Sequence, residues 1–241
     1  MKLEGKNVLV TGSNRGIGKE LVQAALERGA ARVYATARDA TTLESLAKGD
    51  QRVVRLALDI TSEEQARRVA EQAKDVDVLV NNAGVLSSYG VLASSSKDVR
   101  QDIDTNFFGL LNVARAFAPV LGARKGSALV SVLSVASLAN MPALGGYSSS
   151  KAAAWSLTQA LRAELAKAGV TTFAVFPGPV DTDMVRAIPL PKTPAAAVAK
   201  AIFEGVEAGA LDIFPDPMSR EVGAAFAKDP AAVERRFAAP M

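Results

Sequence analysis

The chain of 241 residues contains neither cysteine nor histidine. Without cysteine there is no disulfide framework and no thiolate metal site. Without histidine the commonest metal ligand and the commonest general base are both missing. No metal is therefore expected, and any proton transfer falls to Tyr, Lys, Ser or carboxylates. No stretch stays apolar for the roughly 18 residues that a spanning helix needs. Met1 to Lys6 leads directly into an apolar strand, without the features of a secretory signal. A soluble, cytoplasmic protein with no membrane partner is the expectation. Charge of one sign is also scarce: 28 Lys+Arg against 25 Asp+Glu leave +3. The basic residues (Lys2, Lys19, Arg28, Arg52, Arg100, Arg186) are scattered, which argues against nucleic acid.

What is present is an ordinary globular composition, 49% apolar and 22% charged, in a length that one large α/β core can organise. Residues 7–11 form a short buried-type strand. Residues 16–28 then repeat Ile17, Leu21, Ala24 and Ala25 at helical spacing, up to a stop at Gly29. The alternation continues with strands near 32–36, 53–57, 76–80, 128–133, 170–176 and 211–214. Helices are expected near 41–48, 62–73, 98–121, 147–168 and 194–208. This pitch implies right-handed crossovers and a parallel sheet. The fold class is α/β: a single-domain, Rossmann-type, doubly wound and mostly parallel sheet of about seven strands with helices on both faces. Residues 183–192 would be a short loop, and 215–241 a C-terminal extension with two helical pieces covering either a neighbouring subunit or the pocket.

Between the first strand and the first helix stands Thr11-Gly12-Ser13-Asn14-Arg15-Gly16-Ile17-Gly18. A glycine turn there lets backbone N–H groups and the helix terminus face a phosphate that a Cβ would obstruct. The spacing is G-x-x-x-G-x-G, and no Gly-Lys-Ser/Thr follows as in a P-loop. Gly12 to Gly18 are thus candidate dinucleotide contacts. At the end of the second strand an NAD site would present an acid to the ribose 2′-hydroxyl, but Ala37 stands there. Arg38, with Arg15, suits a 2′-phosphate instead. NADP(H) is expected over NAD(H). Asp59 and Ile60 could bracket the adenine, although Asp59 is as readily an acid at a helix start.

Tyr147 and Lys151, four apart on a helix, share a face. Ser134 ends the fifth strand on the carboxyl edge, where open α/β sheets bind ligands. A tyrosine acid/base near neutral pH needs its reference pKa of about 10 lowered by roughly three units, ~4 kcal/mol. One ammonium about 4 Å away supplies energy of that order, so Lys151 is expected to acidify Tyr147. Tyr147 would then give a proton to a carbonyl oxygen that Ser134 hydrogen-bonds, while the nicotinamide delivers hydride.

These residues closely resemble the short-chain dehydrogenase/reductase family. The motifs in order are 11–18, Asn81-Asn82-Ala83-Gly84, Asn106-Phe107-Phe108-Gly109, Ser134, Tyr147-Ser148-Ser149-Ser150-Lys151, and Pro177-Gly178-Pro179-Val180-Asp181-Thr182. The resemblance implies that Asn106 joins Ser134, Tyr147 and Lys151 as a fourth catalytic member by bending its helix. It implies cofactor contacts from Asn82, Ala83, Gly84, Pro177, Gly178, Val180 and Thr182, with Lys151 holding the ribose, and assembly as a homodimer or homotetramer. Two positions depart from the pattern: Ser131, often Asn, and Ser137, often Gly, which would add a side chain at the substrate mouth. Met141, Leu144, Met184 and Ile188 would give a mainly apolar pocket for small or medium hydrophobic ketones or aldehydes. Two other readings are an NADPH reductase of acyl-carrier 3-oxo thioesters and a non-catalytic NADP-binding sensor, which has no need of Ser134, Tyr147 and Lys151 together.

Overall fold

The computed structural model describes residues 1–186 and 188–239. Ala187, within the expected loop 183–192, and Pro240 and Met241, at the end of the C-terminal extension, lie outside the described residues.

Seven strands form one sheet, parallel throughout: β1 (Asn7–Val10), β2 (Arg32–Ala37), β3 (Val53–Ala57), β4 (Val78–Asn81), β5 (Ala128–Val132), β6 (Thr171–Val175) and, numbered after the short β7 and β8 below, β9 (Asp212–Ile213). Their spatial order is β3-β2-β1-β4-β5-β6-β9. Side chains alternate between the faces. Val8, Val10, Val33, Val78, Val80 and Val130 meet Leu21, Ile202 and Phe203 on one side. Leu9, Leu79 and Leu129 meet Val69, Val113, Phe117 and Leu161 on the other. The covering helices on the first face are α1 (Gly16–Glu27) and α6 (Ala195–Ala208). On the second they are α2 (Glu63–Gln72), α4 (Leu110–Gly122) and α5 (Gly145–Ala166). A sheet covered on both faces needs such near-continuous apolar strands.

The chain builds outward from β1 through β2 to β3, then crosses to β4 and builds the other way. The carboxyl ends of β1 and β4 therefore diverge from a switch point, where a crevice opens. A second small sheet pairs β7 (Val180–Asp181) with β8 (Thr193–Pro194). It ties together the two ends of the 183–192 loop.

Two expected helices differ. The segment near 41–48 is only a 3₁₀ turn, Ala40–Leu43. Asp39 accepts from the backbone and hydroxyl of Thr41, and Arg55 takes the carbonyls of Leu43 and Leu46. These side-chain bonds replace the ladder a helix would need. The stretch 98–121 is three segments: α3 (Ser96–Ile103), a π-helical turn (Asp104–Gly109) and α4. The C-terminal extension forms α7 (Pro217–Lys228) and α8 (Pro230–Ala238). Val222, Val233 and Phe237 from these helices pack on Val135, directly after Ser134. The extension thus covers the serine turn of its own chain.

Candidate active site

A cleft of about 880 Å³ lies over the switch point. Its floor is the glycine turn. Gly12 has φ +67°, and a Cβ there would come within 2.9 Å of the Ala83 backbone. A Cβ on Gly18 would run into the Gly12 carbonyl and stand 2.6 Å from Asn82 Nδ2. Asn82 fixes this turn, donating to the carbonyls of Thr11 (2.8 Å) and Gly12 (3.2 Å). The result is a tightly packed backbone turn at the start of α1, a place where backbone N–H groups can face an anion. Asn14, Arg15, Ile17, Arg38, Asp59, Ile60, Ala83, Gly84, Pro177, Gly178, Val180 and Thr182 also line the cleft. Ser13 does not. It is buried, donates to Val10 O at 2.7 Å and accepts from Thr36 N, so its hydroxyl is spent joining β1 to β2. Asp59 accepts from the backbone and hydroxyl of Thr61, while Ser62 caps α2.

Ser134, Tyr147 and Lys151 meet on one wall of the cleft. Ser134 accepts from Ala136 N at 3.1 Å and is held at the end of β5. Tyr147 is 8% exposed, and burial pushes its phenol up to about 12, against a smaller lowering from the Ser134 hydroxyl and a further push from the buried Asp102 carboxylate. Lys151 is 6% exposed and donates to Val132 O at 3.1 Å. Burial brings its amine down to about 8, and Asp102 pulls the other way. Its Nζ stands 5.9 Å from the Tyr147 ring centre. The expected acidification of Tyr147 by Lys151 is thus corrected for the protein on its own. The amine is turned to a strand carbonyl, and desolvation of the phenolate is the larger effect.

Asn106 sits behind this wall, 2% exposed, in the π-helical turn. Its carboxamide pairs with both backbone groups of Val85 and donates to Ser150 Oγ at 2.9 Å. Ser150 in turn donates to Tyr147 O at 2.7 Å. The helix is deformed here, and the deformation connects the β4 loop to the first turn of α5.

The short chain dehydrogenase family profile matches residues 6–192 of this chain. The protein belongs to the short-chain dehydrogenase family. A short chain dehydrogenase of Monascus ruber, pigC, is 33% identical over 197 residues, 76% of this chain and 65% of that protein. Another from Aspergillus terreus, tazN, is 35% identical over 77% of this chain and 43% of its own length. The chain thus spans less than two thirds of these relatives. A 3-oxoacyl-(acyl-carrier-protein) reductase of Vibrio cholerae is 32% identical, covering 78% of this chain and 79% of the reductase. A short chain dehydrogenase from Burkholderia cenocepacia, crystallised with NADP, is 38% identical, with a TM-score of 0.93 over all of both chains.

In this short-chain dehydrogenase several expected residues stand elsewhere. Of the four proposed pocket residues, Met184 lines the cleft, whereas Met141, Leu144 and Ile188 are not among its walls. Met141 packs instead on the cluster that α7 and α8 build, a hydrophobic neighbourhood invisible without those helices. Ser137 is buried and does not reach the substrate mouth. It accepts from Ser134 N at 3.2 Å and so braces the serine turn. Ser131 is buried, and its hydroxyl has no partner among the described residues. Two carboxylates were missed from the sequence. Asp216, 1% exposed, accepts from Gly178 N at 2.8 Å while capping α7, and Asp102 is wholly buried in α3. An acid inside a polar helical stretch reads as solvent-facing, so no periodicity marks Asp102, and Asp216 before Pro217 reads as an ordinary helix cap.

Proposed function

We propose that this short-chain dehydrogenase is a single oxidoreductase domain that moves hydride between NADP(H) and a carbonyl or alcohol. The observation that carries this reading is the meeting of Ser134, Tyr147 and Lys151 on one wall of a cleft that is also lined by the closely packed glycine turn at the start of α1. Bound in that cleft, the nicotinamide would supply or accept the hydride. The chain's own groups handle the proton. A phenol held near 12 is protonated at neutral pH, the form needed to donate to the oxygen of a carbonyl under reduction. The Ser134 hydroxyl hydrogen-bonds the same oxygen, and Lys151 holds ribose hydroxyls. Asn106 acts as the fourth member by keeping the π turn and, through Ser150, the seat of Tyr147.

NADP(H) is favoured over NAD(H) because Ala37, at the end of β2, offers no acceptor for a ribose hydroxyl, while Arg38 and Arg15 both line the cleft. Arg15 is shared with Asp183 at 3.5 Å, which makes Arg38 the principal phosphate partner. Small or medium hydrophobic ketones and aldehydes suit the mixed wall that includes Met184 and Val185. Reduction of acyl-carrier 3-oxo thioesters is a second reading, favoured by likeness to the Vibrio reductase. A cytoplasmic homodimer or homotetramer goes with either.

The test is a panel of ketones, aldehydes, 3-oxo thioesters and alcohols followed by nicotinamide absorbance, with both cofactors in parallel. Turnover with at least one carbonyl, faster with NADPH, is expected. No consumption of either reduced cofactor with any of them would overturn the reading.

A further inference from the structure

Asp102 lies in the last turn of α3 and has no exposed surface. Its Oδ1 accepts from Ser87 N at 2.8 Å, and its Oδ2 from Ser88 N at 3.0 Å and from Ser88 Oγ. One helical turn further on, Asn106 holds Val85. Two side chains on one helix face therefore grip the loop that follows β4. Ser88 is itself wholly buried, and it presses on the start of α5. A Cβ added to Gly146 would stand 2.9 Å from Ser88 Cβ and closer still to its Oγ, and one on Gly145 would strike Val91. Gly146 adjoins Tyr147. The contacts thus run from Asp102 through Ser88 to the turn that carries the phenol and, four residues later, the amine.

We propose that Asp102 is a positioning residue of the catalytic site: it clamps the β4 loop onto the first turn of α5, fixes the seat of Tyr147 and Lys151, and places a buried negative charge beside both. The catalytic part of this rests on the hydride-transfer reading; the clamp and the charge do not. Three donors satisfy the carboxylate's oxygens, as burial of such a group requires. The other charged groups on the packed elements are solvent-exposed or already paired, although Lys97, Arg100 and Asp104 line the same cleft. Lys97, Arg100 and Asp104 are exposed on α3 and the π turn, and Arg115 is exposed on α4. Asp98 is partly exposed and occupied by Ser95. Asp102 raises both the phenol and the amine from where burial alone would leave them. It opposes the phenolate and supports the ammonium, so its removal lowers both.

The experiment uses Asp102→Asn, which keeps the shape and deletes the charge, and Asp102→Glu, which keeps the charge and displaces the clamp. Phenolate absorbance is followed against pH for each, as a difference from the same background carrying Tyr147→Phe, so that only one of the three tyrosines is read. This needs neither cofactor nor substrate. In Asp102→Asn the midpoint should fall by roughly half a pH unit or more. In Asp102→Glu it should stay near the wild-type value, while kcat on whichever panel carbonyl is turned over falls roughly tenfold with the NADPH KM little changed. An Asn variant that loses thermal stability with an unmoved phenolate midpoint would make Asp102 merely structural and overturn the proposal. So would a Glu variant with wild-type kcat, and that arm stands if the Asn variant does not fold. If wild-type protein turns over no carbonyl while the midpoint still moves, the hydride-transfer reading fails and the charge placement stands.

Discussion

Asn106 holds Val85 by both of its backbone groups, its carboxamide accepting the Val85 N–H and donating to the Val85 carbonyl, each at 2.9 Å. The side chain thereby imitates a neighbouring strand for a loop that has left the sheet. Its third bond, to Ser150, carries the constraint into α5. The π turn is what brings the carboxamide to this depth, in keeping with the occurrence of such turns at functional sites.

Replacing Asn106 with Ala removes three hydrogen bonds and leaves the partly buried Val85 backbone groups without these partners. At about 1 kcal/mol for each bond, a loss of roughly 3 kcal/mol is expected, which lowers the thermal midpoint by roughly 5–10 °C in a domain of this size. Asn106→Asp keeps the acceptor for Val85 N and should fall between the two. Thermal unfolding of the three proteins checks the order.

The glycine cradle predicts a steric failure at Gly18. Ala there would meet the Gly12 carbonyl and the Asn82 carboxamide, which are respectively backbone and a side chain fixed by two bonds. Dinucleotide affinity should drop roughly tenfold or more, since the turn must open to admit the methyl group. Titration of NADPH fluorescence measures it. Unchanged affinity in a folded Gly18→Ala protein would argue against the cradle.

Burial of Lys151 gives a definite dependence of stability on pH. Its amine titrates near 8 in the fold and at 10.5 when free. Between these values the unfolded chain binds a proton that the native lysine has released, so stability rises with pH. Below about pH 8 both forms are protonated and the native state bears the whole burial cost. Tyr147 acts oppositely and higher up: from 10 to about 12 the native phenol keeps a proton that the unfolded one loses, and stability falls. Lys151→Met should therefore match or exceed wild type in stability at pH 7. Wild type should then gain on it by up to about 3 kcal/mol as pH rises from 8 toward 10. Urea midpoints across that window check the trend.

At the other end of the cleft, Arg38→Asp should reverse the cofactor preference. The guanidinium proposed to pair with a 2′-phosphate is replaced by an acceptor for a 2′-hydroxyl, and NADPH affinity should fall roughly tenfold or more. Kd values for both cofactors decide this, and an unchanged preference would refute the role given to Arg38.

The parallel sheet was legible because apolar runs alternate with helical patterns, and the glycine turn because its glycines stand between β1 and α1. Ser134, Tyr147 and Lys151 were legible as a group through their order and spacing. The bend at Asn106 came only from the family resemblance: residues 98–121 keep an amphipathic pattern across the π turn, and nothing local shows that Asn106 turns inward. Asp102 and Asp216 were hidden because their partners, Ser88 and Gly178, are distant in the chain and become neighbours only after folding. Met141 shows the complementary case, since an apolar residue near Ser134 fits a pocket until α7 and α8 are seen to pack against it.

The central claim is that the Tyr147 phenol passes the proton during hydride transfer. The most direct measurement is single-turnover oxidation of bound NADPH by the best carbonyl of the panel, in wild type and in Tyr147→Phe, with NADPH Kd determined for both. A rate lower by roughly 10² to 10⁴ in the variant is expected, with Kd essentially unchanged. A Tyr147→Phe protein that binds NADPH normally and oxidises it at the wild-type rate would contradict it.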